Sequence, residues 1–97
     1  MIRKSNTDCA GNKFTKAVKN RVWAKAGIIE GHPDDIWRRD ATGNIINMQE
    51  FGNRGSEYGW EIDHIIPVAA GGTDNIHNLQ ALHWKVNEEK GDQHPWP

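Results

Sequence analysis

The chain has 97 residues, enough for one small domain, and carries five tryptophans that suit a thin core. Its net charge is −1, whereas nucleic-acid-binding proteins usually have an overall excess of basic residues. The single cysteine, Cys9, excludes an internal disulfide and a cysteine-built zinc site. No apolar run approaches the roughly 20 residues of a membrane helix, and no secretory signal is recognisable. We therefore expect a cytoplasmic protein without membrane contact.

Charge is unevenly distributed along the chain. Residues 1–25 hold seven basic side chains against one acidic side chain, whereas most acidic residues lie further on. Residues 1–12 are polar and are expected to be mobile. From Thr15 to about Ala26, apolar residues recur at helical spacing, and Gly27 is the expected stop. The basic side chains of this helix are either a solvated surface or a contact for phosphates.

Two β-prone runs follow, with a glycine-containing loop between them. Residues 36–39 and 45–48 flank residues 40–44, and this spacing predicts a β-hairpin. Residues 51–59 are rich in glycine, asparagine, serine and charge. That composition predicts a loop.

The last part of the chain predicts a strand and then a helix. Residues 60–68 are the strand candidate, interrupted by Pro67. The helix is expected from about Asn78 to about Lys90, with Gly91 as its stop. Three apolar residues predict its buried face: Leu79, Leu82 and Val86.

The strand candidate contains an acidic residue directly before a histidine. Neighbouring side chains of a regular strand point to opposite faces, so Asp63 and His64 flank a common site only if the strand bends or ends there. Asp63 offers the oxygen donor that Mg²⁺ and Mn²⁺ prefer. Imidazole changes charge near neutral pH, which suits His64 to take a proton from water.

Three polar residues share one face of the predicted helix. His83 and Asn87 stand four positions apart, and Lys90 lies on the same stripe. Asn78 begins the helix, where an asparagine either caps the first turn or orients a neighbouring imidazole through its amide. Each residue alone has an ordinary structural explanation. Their joint arrangement points to an active site.

The order and spacing of these residues resemble the HNH endonuclease motif of the ββα-metal nucleases. The resemblance covers about a third of the chain, residues 60–91. It is carried by the following residues: Glu61-Ile-Asp-His-Ile-Ile-Pro67, Gly71-Gly72, Asn78-Leu79, Asn87 and Lys90. The resemblance implies a single α+β domain over residues 1–97, with a small ββα-metal (His-Me finger) core, an N-terminal helix and an extra hairpin.

The resemblance also implies roles for individual residues. His64 would be the general base, and Asn78 would hold strand and loop together so that the imidazole is oriented. Asp63 and Asn87 would bind one divalent ion, Mg²⁺ or Mn²⁺, although some relatives accept Ni²⁺, Co²⁺ or Zn²⁺. Lys90 would contact a phosphate.

Two further residues are candidate metal ligands. His83 precedes Asn87 by one helical turn, and Glu61 shares the face of Asp63 in a regular strand. In the zinc-stapled branch of the family, a cysteine pair occupies the positions of His83 and Val86. This chain lacks that pair, so a structural zinc of that kind is not expected.

The implied function is metal-dependent hydrolysis of DNA phosphodiester bonds, with one active site nicking one strand as a monomer. DNA would be held through its phosphates. The basic candidates for these contacts are Lys16, Lys19, Arg21, Arg38, Arg39 and Lys90. The alternatives are a non-catalytic nucleic-acid-binding module on the same scaffold, a zinc-stabilised structural domain, and an RNA-directed nuclease. Each nuclease hypothesis is compatible with a chain that belongs to a larger phage, restriction or repair assembly.

Overall fold

A computed structural model describes residues 4–96 of the chain. Short 3-10 turns at Met48–Glu50, Val68–Ala70 and Ile76–Asn78 connect some of its elements. The helices and strands are α1 Lys16–Lys25, β1 Gly27–Ile28, β2 Trp37–Arg39, β3 Ile45–Asn47, β4 Trp60–His64, β5 Leu79–His83 and α2 Trp84–Lys90.

Helix α1 confirms the helix predicted near the N-terminus. The hydroxyl of Thr15 caps it by accepting a hydrogen bond from the Val18 amide. Its buried face carries Val22 and Trp23. The expected stop at Gly27 was one residue late, because Ala26 already has extended backbone and Gly27 begins strand β1.

Strands β1, β2 and β3 form an antiparallel sheet, and β2–β3 is the predicted hairpin. Asp40 closes the turn, since its Oδ1 accepts hydrogen bonds from the amides of Thr42 and Asn44. Its Oδ2 accepts another, 2.8 Å long, from the amide of His83. One buried carboxylate therefore joins this hairpin to the end of β5.

Strands β4 and β5 form a second antiparallel hairpin, in which Trp60 pairs with His83 and His64 with Leu79. The prediction of a helix from Asn78 was wrong over residues 79–83, which form β5. Leu79 and Leu82 are three positions apart, as on a helix, but they lie on opposite faces of a strand. Both are fully buried because both faces of β5 are covered. The predicted helix therefore begins only at Trp84, and Gly91 ends it as expected.

The core lies between α1 and the β4–β5 hairpin. Trp23 and Trp60 pack with ring centroids 5.2 Å apart, and Phe51 meets Trp60 edge-on at 4.7 Å. Buried aliphatic residues complete the cluster: Val22, Ile46, Ile62 and Leu79. The structure thus confirms the predicted small α+β fold with a ββα unit, a leading helix and an extra hairpin. Within residues 4–96, no helix is long and apolar enough to cross a membrane.

Residues 4–12 pack against the ββα unit, although the sequence predicted a mobile segment. The Asn6 side-chain oxygen accepts a hydrogen bond from the amide of Ile62, and the Cys9 amide donates to the Asp74 carboxylate. Thr7 forms a bridge with Lys13. These partners are distant in sequence, so the polar composition of the segment could not reveal them. Residues 1–3 of the expected mobile segment lie outside the described residues.

Candidate active site

Strand β4 buries charged and apolar side chains in alternation. All five residues, Trp60–His64, are buried, and Trp60 and Ile62 belong to the core. Glu61 and Asp63 alternate with them. Burying a carboxylate is unfavourable unless it is paired and hydrogen-bonded, so the partners of these residues define the site.

His64 is the last residue of β4, and its side chain is held by Asp74. Its Nε2 lies 2.8 Å from Asp74 Oδ1. Partial burial acts to raise the pKa of Asp74, but hydrogen bonds from His64 and Cys9 outweigh it and hold the pKa below its usual value. An ionised carboxylate only accepts hydrogen bonds, so Nε2 carries the imidazole proton. The lone pair of a neutral His64 therefore lies on Nδ1.

The loop after β4 is held in place by Asn78. Its Oδ1 accepts from the amide of Ile66 at 2.8 Å, and its Nδ2 donates to the carbonyls of Ile66 and Thr73. Gly72 is required for this packing, because a Cβ there would lie 1.7 Å from the Ile66 carbonyl oxygen. Asn78 thus caps no helix; it closes the loop that follows His64.

Asp63 is buried beside a lysine. Its Oδ2 accepts a hydrogen bond from the Gln80 side chain at 3.0 Å, and its Oδ1 lies 3.2 Å from Lys90 Nζ. Lys90 also donates to the carbonyl of His64 and is only 2% exposed. Burial raises the pKa of Asp63, and the contacts from Gln80 and Lys90 offset this only in part. The contact between Lys90 and a phosphate stays a prediction, and in the described structure its ammonium is bonded to Asp63 and to the His64 backbone.

Asn87 is oriented by a buried carboxylate. Its Nδ2 donates to Glu61 Oε1 at 2.9 Å, and Arg54 donates to both oxygens of Glu61, each at 2.9 Å. Glu61 is therefore a partner of Asn87 in this structure. Because the Asn87 amide nitrogen faces Glu61, its oxygen is directed away from that carboxylate. Arg54 was not predicted from the sequence as a residue of the site.

One cavity brings the principal candidates together. It has a volume of about 450 Å³ and is lined by Asp63, His64 and Asn87, among others. Its rim includes Ser5 and Asn6 from the N-terminal segment. An acidic oxygen donor, an imidazole and an amide thus meet at one concave surface, which is an arrangement suited to metal-assisted hydrolysis.

Comparison with protein families identifies the same region. Residues 49–93, slightly less than half of the chain, match the model of the HNH endonuclease family. On this similarity to HNH endonucleases, we call the segment the HNH domain. It contains β4, β5 and α2, and with them the residues that line the cavity from the ββα unit. No match was found among curated proteins or among solved structures.

His83 does not line the cavity that Asp63, His64 and Asn87 share. Its Nδ1 accepts a hydrogen bond from the Lys85 amide, which caps α2, and its Nε2 lies 2.6 Å from the carbonyl oxygen of Glu57. Both ring nitrogens are thus engaged. His83 also lines a different cavity, together with Trp84. The structure therefore gives no support to His83 as a metal ligand.

The basic residues divide into structural and exposed ones. Arg38 donates to the carbonyls of Ala24, Ala26 and Asp34, so it ties α1 to the hairpin. Arg39 is exposed and donates to the carbonyl of Gly43. On α1, Lys16 and Arg21 are exposed, and the ammonium of Lys19 lies 5.4 Å from the ring centroid of Phe51. Arg38 is thus committed to the chain's own backbone.

Two neighbours of His64 were not predicted from the sequence. Asp74 contacts its Nε2 directly, and the Sγ of Cys9 lies 3.9 Å from the same atom. Asp74 follows Gly71-Gly72 within the motif, so its position there was an available signal. Cys9 lies 55 residues before His64, and no local pattern connects the two.

Oxygen donors of the HNH domain suit a hard divalent cation. Asp63 offers a carboxylate and Asn87 an amide oxygen, and both residues line the cavity that contains His64. These two oxygen donors therefore fit Mg²⁺ or Mn²⁺. Lys90 would compete with the cation for the Asp63 carboxylate.

Proposed function

We propose that this HNH domain is a metal-dependent endonuclease that hydrolyses DNA phosphodiester bonds and nicks one strand per encounter as a monomer. His64 Nε2 pairs with ionised Asp74 beside the cavity that Asp63 and Asn87 line. This pairing is the main support for the proposal. This pairing leaves a lone pair on Nδ1 of a residue that the family resemblance assigns as general base. A binding module has no need of such an arrangement.

In this proposal, His64 Nδ1 takes the proton from the attacking water. Asp74 keeps the opposite nitrogen protonated and stabilises the imidazolium that forms, because its carboxylate is ionised. Asn78 fixes the backbone of the loop that follows His64 through three hydrogen bonds to Ile66 and Thr73. Asp74 therefore orients the imidazole directly, and Asn78 holds the loop that follows it, before substrate binds.

Asp63 and Asn87 are the residues that would hold the divalent ion. When bound, the ion supplies positive charge that stabilises the transition state at phosphorus and the leaving oxygen. Glu61 keeps the Asn87 amide in one orientation by accepting a hydrogen bond from its nitrogen, and Arg54 holds the Glu61 carboxylate in place. Gln80 holds the second oxygen of Asp63 in the same way.

Substrate binding would rest on phosphate contacts from three exposed cations and from the half-buried Lys19. Lys16, Lys19, Arg21 and Arg39 remain the candidates for this role. Such contacts carry no base-sequence preference of their own and weaken as salt rises. DNA is the proposed substrate and RNA is the alternative, since none of these groups distinguishes the sugar. A cytoplasmic location and a larger phage, restriction or repair assembly belong to the same proposal.

The test is cleavage of supercoiled plasmid with Mg²⁺, Mn²⁺ or EDTA, resolved as open-circle and linear products on an agarose gel. We expect open-circle product from the wild type only when metal is present. His64→Ala should lower the rate by about 10²–10⁴-fold, the usual contribution of a general base. His32→Ala is the matched control, because His32 is an exposed histidine outside the HNH domain.

A second candidate function is supported by Lys90. Its ammonium lies beside Asp63, where it opposes metal binding, and this favours a non-catalytic nucleic-acid-binding module. That function is indicated if the wild type binds plasmid in a gel-shift assay yet cuts neither DNA nor a single-stranded RNA under any metal. Metal-dependent cutting of RNA but not of DNA would instead show that RNA is the substrate.

A further inference from the structure

Three metal-binding side chains from distant parts of the chain meet at His64. Cys9 comes from the N-terminal segment, His64 from the end of β4 and Asp74 from the loop before β5. Each offers one donor atom, and the three atoms lie within 4.8 Å of one another. His64 Nε2 lies 2.8 Å from the Asp74 oxygen and 3.9 Å from the Cys9 sulfur.

We propose that Cys9, His64 and Asp74 form a binding site for a thiophilic divalent cation, of which Zn²⁺ is the representative, and that its occupancy switches off His64. Around a tetrahedral zinc, bond lengths of about 2.0–2.3 Å place neighbouring donors about 3.3–3.5 Å apart. The two measured separations lie on either side of this range. All three donor atoms lie within 4.8 Å of one another, so side-chain rotations are needed to bring them to one ion.

The cluster is built before any ion arrives. The Cys9 amide donates to both oxygens of Asp74, at 3.0 and 3.1 Å, which holds the carboxylate beside the thiol. His64 is 5% exposed and is fixed at the end of β4, whereas Cys9 and Asp74 are exposed. An ion can thus enter from solvent on the side of the two exposed ligands.

The donor set separates this site from the one at Asp63 and Asn87. Thiolate and imidazole select zinc-like cations, whereas carboxylate and amide oxygens alone favour Mg²⁺ or Mn²⁺. Three protein ligands also leave a fourth position for water, as in open rather than closed zinc sites. The two sites share one cavity wall through His64 but select different ions.

Occupancy removes the base by changing the imidazole tautomer. With Asp74 as partner, Nε2 carries the proton and Nδ1 has the lone pair. An ion on Nε2 uses that nitrogen's lone pair, so the ring proton moves through solvent to Nδ1 and the Cys9 thiol releases its proton to water. His64 then has no lone pair for a water proton. This consequence for cleavage rests on the proposed function, whereas the binding site does not.

Binding is tested with Co²⁺, whose thiolate complexes absorb strongly in the near ultraviolet. Titration of the wild type with Co²⁺ should produce this charge-transfer band to one equivalent, and one equivalent of Zn²⁺ should abolish it. The chain has a single cysteine, so the band reports on Cys9 alone. His64→Ala and Asp74→Asn should each weaken cobalt binding by about tenfold or more. Asn87→Ala, which leaves the three donors intact, should retain the band.

Two results overturn the proposed site. One is the absence of a thiolate–cobalt band in the wild type. The other is a band of unchanged affinity in both His64→Ala and Asp74→Asn, which would mean that Cys9 binds cobalt without them. Cys9→Ser, a nearly isosteric change at an exposed position, should lack the band and keep the fold by circular dichroism.

The switch is tested by adding Zn²⁺ to plasmid nicking in Mg²⁺ and comparing each protein with its own zinc-free rate. The zinc concentration for half-inhibition should be about tenfold or more higher for Cys9→Ser than for the wild type. Equal zinc sensitivity of the two proteins overturns the switch. If the wild type does not nick under any metal, the proposed function fails, and the cobalt titration still decides the binding site.

Discussion

The two hairpins of this chain are stabilised in different ways. In β2–β3, residues 40–44 form a short turn, and Ile46 is the only one of the six strand residues that is fully buried. In β4–β5, residues 65–78 form a long loop, and every residue of β4 is buried. The first hairpin rests on turn hydrogen bonds. The second buries polar groups that must find partners.

Each buried ionisable residue of β4 has a specific partner. Glu61 is paired with Arg54, Asp63 with Lys90, and His64 with Asp74. Buried ion pairs rarely stabilise a fold more than apolar residues of the same volume would, because desolvation opposes the Coulomb attraction. Hairpin β4–β5 thus preserves a chemical arrangement at a cost in stability, whereas β2–β3 supports the fold.

The largest expected effect comes from breaking the buried pair in the second hairpin. Lys90→Met leaves Asp63 without its cation and should lower the free energy of unfolding by about 3–5 kcal/mol. Lys85→Met, an exposed change on the same helix, should shift it by no more than about 0.5 kcal/mol. Urea unfolding followed by tryptophan fluorescence measures both. Equal stability of the two variants would remove the distinction between the hairpins.

The first hairpin should be most sensitive at its turn carboxylate. Asp40→Ala removes the acceptor for the amides of Thr42, Asn44 and His83, and should lower the free energy of unfolding by about 2–3 kcal/mol. The same urea experiment applies, with the exposed Asp35→Ala as control. An Asp40 variant as stable as that control would show that water replaces these hydrogen bonds.

A smaller effect is expected at the exposed end of the Glu61 network. Arg54→Ala removes two hydrogen bonds to Glu61, but solvent reaches this partly exposed side chain and reduces the loss to about 1–2 kcal/mol. If Arg54 also helps to orient Asn87, nicking by this variant should need more Mg²⁺ for half its maximal rate. A stability loss without any change in the Mg²⁺ requirement would limit Arg54 to a structural role.

The smallest expected effect is the dependence of the folded chain's stability on pH. The pKa of Asp74 is lower in the folded chain than its ordinary value, so this carboxylate contributes stability above that value. The contribution is lost as the pH falls through the folded pKa. The melting temperature of the wild type should therefore exceed that of Asp74→Asn at neutral pH, and the difference should shrink below about pH 4. A difference that stays constant down to about pH 3 contradicts this assignment.

The motif itself was readable from the sequence. Asp63, His64, Asn78 and Asn87 lie within 25 consecutive positions, so their order and spacing are a local property of the chain. The helix at 16–25 and the hairpin around residues 40–44 were likewise predictable. Both depend on short-range periodicity and turn chemistry, which neighbouring residues determine.

Other features depended on contacts that no local pattern records. Residues 79–83 have helix-like apolar spacing, but backbone pairing with β4 and burial of both faces make them a strand. Lys90 has the sequence position of a phosphate contact, but tertiary packing buries it against Asp63. Cys9 has no local signal at all. Only folding brings it to His64, across 55 residues.

The sequence by itself therefore determined which chemical groups the site contains, since a fixed spacing along a strand, a loop and a helix sets their order. The tertiary structure alone decided which partner each group has. Asp74 on His64, Glu61 on Asn87 and Lys90 on Asp63 are pairings across elements. Burial makes such pairings necessary, and burial is a property of the packed chain rather than of any short segment.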